Sequence, residues 1–414
     1  MSLPADTKVD LGFSPCSPLF LPWFHFPDDG SPVHRLHKLA FACQWQRRQK
    51  LKLVIKAVLW PVQAALEAAR NVKEHGELIR QAHGLSPLAQ WCRMVYLANV
   101  YNISPNSFYD YRLFEDQNFK KASLFIQTWE MDALYPQLFK GVDNGIIDEK
   151  TVFLRQCAQR GLPAPSITAV FSGSGQVDWL EGRPDDLPLC DLFIKFTSES
   201  CGTGAEAWVY DSAARVWRRD LQAWDQAEFI NYCCERSVKD QRPVLLQRRL
   251  VNSPEIVAFS TGALCTFRVI TYLTPDGKAA LFAAGLKMPI GKTDVDNVSY
   301  LGGIAAGVDL EEGVLRTARG TKYGATLMEV HPDTKARIAG HRLACWQEIV
   351  SISKKAQESF SGFWSVGWDI AMTKDGPVII EGNTYYGYDL LQLMVQQPLG
   401  ETVFPSLCLK AMGK

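Results

Sequence analysis

The run Val366-Gly367-Trp368-Asp369-Ile370-Ala371-Met372-Thr373-Lys374-Asp375-Gly376-Pro377-Val378-Ile379-Ile380-Glu381-Gly382-Asn383 reads as a β-hairpin. Two apolar arms are joined by a Lys-Asp-Gly-Pro turn, with Gly and Pro as the turn punctuation. Symmetric pairing about Asp375 sets Asp369 directly opposite Glu381, and the two-residue side-chain period puts Asn383 on the same face as Glu381. Opposed side chains lie about 4.5–5.5 Å apart at Cβ, where two like charges repel. A protonated carboxylate offsets that repulsion, and a bridging divalent cation offsets it better. Two carboxylates and an amide oxygen are hard ligands that suit Mg²⁺ or Mn²⁺ and leave positions for water and phosphate. The competing reading is a solvated hairpin with two surface acids, and a one-residue register slip would separate the pair.

Upstream, Thr266-Phe267-Arg268-Val269-Ile270-Thr271 is a strongly β run with a lone arginine inside it. An unpaired buried arginine costs several kcal/mol, so Arg268 needs an anion. The candidates are a triphosphate, a substrate carboxylate, Glu381 or a structural salt bridge. A buried strand over residues 189–196 carries Lys195 near its end. The small-residue loop Ser198-Glu199-Ser200-Cys201-Gly202-Thr203-Gly204 and a returning strand over 207–210 follow. Glycines in such a flap free backbone N–H groups to turn onto phosphate oxygens. A lysine at the end of an apolar strand calls for an anion, ATP being one; the alternative is a plain hairpin with a snorkelling lysine.

Asp148-Glu149-Lys150 opens an amphipathic helix with Phe153, Leu154, Cys157 and Ala158 on its apolar face, stopping at Gly161 before Pro163 and Pro165. A strand is expected over 166–171 and a polar helical region over 217–238. Val244-Leu245-Leu246 then leads into Gln247-Arg248-Arg249-Leu250. Residues 285–335, including Lys287, Asn297, Tyr300, Asp309, Lys322 and His331, are polar, Gly-rich and weakly periodic, as suits loops around a cleft. His331 reads either as a general base for an incoming amine or as a helix cap. Gly291-Lys292-Thr293 is not a phosphate loop, because Gly285 lies one residue too far upstream and no strand-to-helix context surrounds it. A helix over 342–360 leads into the hairpin, and an apolar helix around 390–395 closes the chain.

Asp369, Glu381 and Asn383 in this order resemble the metal-binding signature of the ATP-grasp superfamily, whose equivalent side chains hold two Mg²⁺ ions between the β- and γ-phosphates of ATP. Lys150 matches the lysine of the family's acid-Lys helix start, which reaches the phosphates. Lys195 with Gly202, Thr203 and Gly204 matches its lysine and glycine-rich loop. Gln247 stands at the hinge beside adenine, where backbone groups at Arg248 and Leu250 would read the purine edge. Glu255 resembles the ribose-binding acid, at an offset one residue longer. Together with His331-Pro332-Asp333-Thr334, the pattern is similar to a sugar-transfer-associated subfamily found with polysaccharide-biosynthesis genes. The resemblance covers roughly residues 146–400.

Composition sets the outer bounds. A chain of 414 residues with 47% hydrophobic content builds two or three cored domains. Lys+Arg and Asp+Glu balance at 44 each, which leaves no general footprint for nucleic acid or an acidic membrane, local patches excepted. Eleven cysteines without CxxC spacing, and no secretory leader, read as cytosolic thiols. Residues 1–30 are an irregular Pro- and aromatic-rich arm, and residues 34–97 are helical. Residues 51–69 are apolar but broken by Lys52, Lys56, Pro61 and Glu67, so they read as an amphipathic helix, packed on the protein or interfacial, and not as a membrane span. His25, His34 and His37 lack partners at metal-ligand spacing.

The resemblance implies an α+β chain: a mainly helical region (1–145), an ATP-grasp small subdomain with its glycine-loop flap (146–250) and a large subdomain with the metal site (251–414). It implies a cytoplasmic ATP- and Mg²⁺-dependent carboxylate–amine ligase acting through an acylphosphate and releasing ADP and phosphate, on small-molecule acids and amines. Arg268, Lys287 and His331 are the expected catalytic residues. The alternatives are a kinase of the same fold or a catalytically silent nucleotide-binding scaffold.

Overall fold

A computed structural model describes residues 26–47, 50–182, 186–197, 204–296, 298, 302–320 and 326–414. Gly202, Thr203, Asn297, Tyr300 and Lys322 lie outside them. The chain forms two compact units that divide between Leu134 and Tyr135.

The first unit is helical, as its sequence pattern predicts. Helices Pro32–Arg47, Lys50–His83 and Pro87–Val100 are followed by short helical pieces Ser107–Asp110 and Asp116–Lys120. Ser86 caps the third helix through Ala89 N–H, with Pro87 at its first position. Buried polar side chains tie the bundle together. Trp60 Nε1 donates to the Ala98 carbonyl at 3.0 Å, and the wholly buried Gln90 donates to the Gly76 carbonyl at 2.9 Å. His37 is paired on Nδ1 with Glu130 and on Nε2 with the Ser123 carbonyl, and His34 with Asp29. These histidines are packing groups with partners, not an isolated ligand set.

The second unit holds two antiparallel sheets. The first contains β1 (Ala169–Phe171), β2 (Val177–Trp179), β3 (Leu192–Phe196), β4 (Glu206–Asp211), β5 (Val216–Arg219), β6 (Gln222–Trp224) and β7 (Val244–Arg248), in the order β2-β1-β7-β3-β4-β5-β6. Helix Gln226–Lys239 covers it, and Phe229 and Cys233 pack among Phe171, Trp208 and Trp217. The expected helical region from residue 217 therefore begins as strand, over β5 and β6. Trp217 is pulled into the sheet by burial against this core and by its Nε1 bond to the Cys190 carbonyl at 2.9 Å. The helix starts only at the Asp225/Glu228 capping box.

The second sheet contains β8 (Thr266–Leu273), β9 (Ala279–Met288), β10 (Ile304–Val308), β11 (Leu315–Arg319), β12 (Ser365–Thr373) and β13 (Gly376–Asn383), in the order β11-β10-β9-β8-β12-β13. Helix Trp346–Ser359 packs on β8, β9, β12 and β13, and helix Tyr388–Val395 on β9, β10 and β11. Residues 285–335 are thus more regular than expected. Ile304-Ala305-Ala306-Gly307-Val308 is buried throughout, so it shows no period-two alternation to read. Gly307 lets the second helix close on the sheet, since a Cβ there would fall 2.7 Å from the Met394 carbonyl oxygen. The nine described cysteines are free thiols.

Candidate active site

Strand register lines up the chemistry on one face of the six-stranded sheet. Thr266 and Arg268 share a face of β8. Thr266 pairs with Lys287 on β9, and Arg268 pairs with Asp369 on β12. Asp369 pairs in turn with Glu381 on β13. Directly paired side chains lie on the same side, so these five form a row across four strands.

The acid pair depends on a bulge. The hairpin turns through Lys374 and Asp375, pairing Thr373 with Gly376, and the ladder runs in step to Ile370 with Ile379. Ile380 then drops out of pairing, and Asp369 meets Glu381. The turn is not symmetric about Asp375; the extra residue restores the expected juxtaposition. Without it Asp369 would face Ile380, and Glu381 would point through the opposite face.

Asp369, only 3% exposed, is ringed by cations. Arg268 donates through Nε to Oδ1 at 2.5 Å and through Nη2 to Oδ2 at 2.9 Å, while Lys287 Nζ donates to Oδ2 at 3.0 Å. Burial opposes the aspartate's charge, but Arg268 and Lys287 outweigh it and hold the carboxyl well below the usual range. Lys287 also lies 3.7 Å from Asp296, whose carboxylate accepts from Thr266 Oγ1. Burial pushes Asp296 up, with Lys287 opposing. Arg268 Nη1 donates to the Tyr386 carbonyl at 2.8 Å. The anion that Arg268 required is therefore Asp369 itself, a partner legible only from the β8–β12 register.

Glu381, whose charge Arg268 and Lys287 also feel, reaches further cations. Lys195, half-buried on β3 of the other sheet, is lowered to about 8 by burial and then by Lys150, with Glu381 opposing. Lys150 sits at the first position of helix Lys150–Gln159, which Glu149 caps through the N–H groups of Thr151 and Val152. Asp148 is raised by burial; Thr384, which donates to it at 3.1 Å, and Lys150 oppose, and Glu381 adds to the rise. The cluster thus holds four cations (Lys150, Lys195, Arg268, Lys287) and four acids (Asp148, Asp296, Asp369, Glu381), a formal charge of zero. Asp296 and Thr384 were missed in the sequence because single polar residues in loop or strand-end positions carry no spacing signal.

The donor chemistry fits a hard divalent cation. Glu381 is a carboxylate beside the Asn383 amide, whose Nδ2 lies 3.4 Å from Glu381 Oε1. Asp369 completes an all-oxygen set, although both its oxygens already accept from Arg268 or Lys287. Glu381, which the Asn383 amide N–H faces together with the Gly367 carbonyl, would be the principal ligand of this set.

The other expected residues fall elsewhere around the fold. Gly204 has φ +70°, and a Cβ there would meet the Phe196 ring at 2.7 Å; its carbonyl accepts from Arg236. Gln247 is buried, and its amide Nε2 lies 3.3 Å from the Ser166 carbonyl. Arg248 is exposed at the end of β7, and half-buried Leu250 lies in the segment leading from one sheet to the other. Glu255 accepts from Ala344 N at 2.8 Å and Cys345 N at 3.3 Å, at the start of helix Trp346–Ser359. His331 is wholly buried: Nε2 donates to the Pro289 carbonyl at 2.9 Å, and Nδ1 accepts from the N–H groups of Asp333 and Thr334 at 3.3 Å.

The sequence pattern of the family described as sugar-transfer associated ATP-grasp matches residues 130–404. The chain belongs to that family. No curated protein sequence matches it. Among solved structures it is similar to N5-carboxyaminoimidazole ribonucleotide synthetase in complex with ADP, at 12% identity and TM-score 0.32, covering 57% of this chain and 44% of that one. It is also similar to the D-alanine–D-alanine ligase of Bacillus anthracis complexed with ATP, at 11% identity and TM-score 0.34, covering 62% and 67%. A third likeness is to the L-amino acid ligase of Bacillus licheniformis, at 12% identity and TM-score 0.36, covering 70% and 61%. The chain spans less than half of the first of these. Among the described residues of this ATP-grasp protein, no helix is long and apolar enough to cross a membrane.

Proposed function

We propose that the chain is an ATP-dependent carboxylate–amine ligase that releases ADP and phosphate. The observation that carries this reading is the meeting of Lys150 and Lys195 with Glu381. Lys195 lies within electrostatic reach of both Lys150 and Glu381, a place where a polyanion would meet two cations. Lys150 and Lys195 bind the phosphates, and backbone groups at Arg248 and Leu250, where β7 ends, hold the purine edge. Gly204, with its positive φ, corresponds to the last glycine of the family's phosphate loop. A ribose contact from Glu255 competes with its bonds to Ala344 and Cys345.

Glu381 and Asn383, with Asp369, would hold Mg²⁺, which would neutralise phosphate charge. Arg268 and Lys287 stand on the other side of Asp369 and orient the substrate carboxylate. Its oxygen attacks the γ-phosphorus, the bond to the ADP oxygen breaks, and an acylphosphate forms. An amine nitrogen then attacks the acyl carbon, loses a proton to solvent or a nearby carboxylate, and expels phosphate. His331, with both ring nitrogens taken by the backbone, shapes the turn beneath this region.

The test is incubation of the purified protein with ATP, Mg²⁺ and a panel of carboxylic acids and amines, with hydroxylamine as a trap. ADP, phosphate and a hydroxamate are expected. AMP with pyrophosphate would reject the mechanism, and ADP formation with a phosphorylated alcohol and no hydroxamate would make the protein a kinase.

A further inference from the structure

Helix Lys50–His83 carries two apolar faces, and among the described residues only one is packed against the fold. Trp60, Ala64 and Ala68 are buried, and the hydrogen bonds of Trp60 to Ala98 and of Trp91 to Ala65 lock that side to helix Pro87–Val100. The other face presents Leu51, Ile55, Val58, Leu59, Val62 and Leu66, exposed by 49% to 72%. The spacing 51, 55, 58, 62, 66 follows the helical repeat, so these side chains form one stripe about 22 Å long. A continuous apolar stripe of this kind on a surface marks a contact.

The charge around the stripe identifies the contact. From Gly30 to Leu66 the sequence contains Arg35, Lys38, Arg47, Arg48, Lys50, Lys52 and Lys56 and no aspartate or glutamate; the first acid is Glu67. Lys56 is exposed next to the stripe, and Lys50 is exposed at the helix start with its Nζ 5.6 Å from the Trp45 ring centroid. In a chain whose charges balance overall, this is a concentrated basic block. A second copy pairing along residues 50–66 brings no acid from that stretch, and Glu67 just beyond it is buried in its own unit, so self-pairing there would juxtapose like charges. A bilayer with anionic headgroups supplies both an apolar layer for the stripe and negative charge for the lysines.

We propose that the 51–66 face of this helix docks flat onto an anionic lipid surface, without spanning it. The test uses the full chain, sedimented with vesicles of phosphatidylcholine alone or of phosphatidylcholine and phosphatidylglycerol in equal parts, at low and high salt. Binding is expected to the anionic vesicles and to weaken with salt. Val58→Glu with Val62→Glu should weaken it at least about tenfold by removing apolar area. Lys50→Glu with Lys56→Glu should weaken it by about fivefold per lysine lost or more. Unchanged circular dichroism and ATP binding in both variants verify that the fold is intact. Three results would overturn the proposal: no sedimentation with anionic vesicles, binding indifferent to Val58 and Val62, or a lipid-free dimer that the valine variants dissolve.

Discussion

Asp369 and Glu381 face each other across β12 and β13 and divide the surrounding cations unequally. Asp369 accepts from Arg268 and Lys287, whereas Glu381 is the acid that Lys195 feels from the other sheet. Two adjacent acids therefore have separable roles. Asp369→Asn leaves two buried cations half-compensated, so it should cost about 3–5 kcal/mol of stability. Glu381→Gln should change stability by no more than about 1 kcal/mol and abolish turnover. Urea denaturation and ADP release measured on both variants check this. Equal stability losses in the two would mean that the acids act as one structural unit.

Lys195 gives a pH signature. Its folded value, about 8, lies below the ordinary lysine value of 10.5. The unfolded chain therefore holds more protons between these values, and the Lys195 contribution to stability rises with pH across that window. A bound triphosphate favours the ammonium form and raises the value again, so nucleotide binding near pH 8 should take up a proton. Calorimetry in buffers of different ionisation enthalpy should show this uptake, and Lys195→Met should remove it. ATP affinity should hold steady below pH 8 and weaken above it. A binding enthalpy that does not vary with buffer at pH 8 would sink the idea.

Gly285 lies opposite Arg268 on β9, where a Cβ would collide with the Met394 side chain. Gly285→Ala should cost about 1–3 kcal/mol through overpacking. Met394→Ala, which opens space there, should recover part of that loss in the double variant. Additive losses in thermal melts would show that the two positions do not touch.

How much of this was legible beforehand depends on the range over which each signal acts. The hairpin, Lys150 at its capped helix start and Lys195 near the end of an apolar strand were readable, because each is a local pattern. The partner of Arg268 was not, since Asp369 lies 101 residues away and only the β8–β12 pairing joins them. The bulge at Ile380 was invisible for a related reason: Val378-Ile379-Ile380 is uniformly apolar, so nothing in it marks which residue drops out of step. β10 was hidden because burial along its whole length erases alternation.

His331 separates structure from chemistry. Burial lowers its value below 6.5, and both ring nitrogens are engaged by backbone groups. His331→Ala should destabilise the protein by about 2–4 kcal/mol, through a cavity and unmet backbone bonds. Turnover per folded molecule should stay within tenfold of the parent at low temperature. A stably folded His331→Gln variant without turnover would assign the ring a chemical role instead.

The central claim is that Glu381 and Asn383 hold a metal-bound nucleotide against Lys150 and Lys195. A crystal structure with Mn²⁺ and a non-hydrolysable ATP analogue tests it most directly, because manganese reveals itself by anomalous scattering. The account predicts a manganese peak within coordinating distance of Glu381 and Asn383, with phosphate oxygens on both lysines. A nucleotide seated elsewhere, or a peak that touches neither residue, would contradict it.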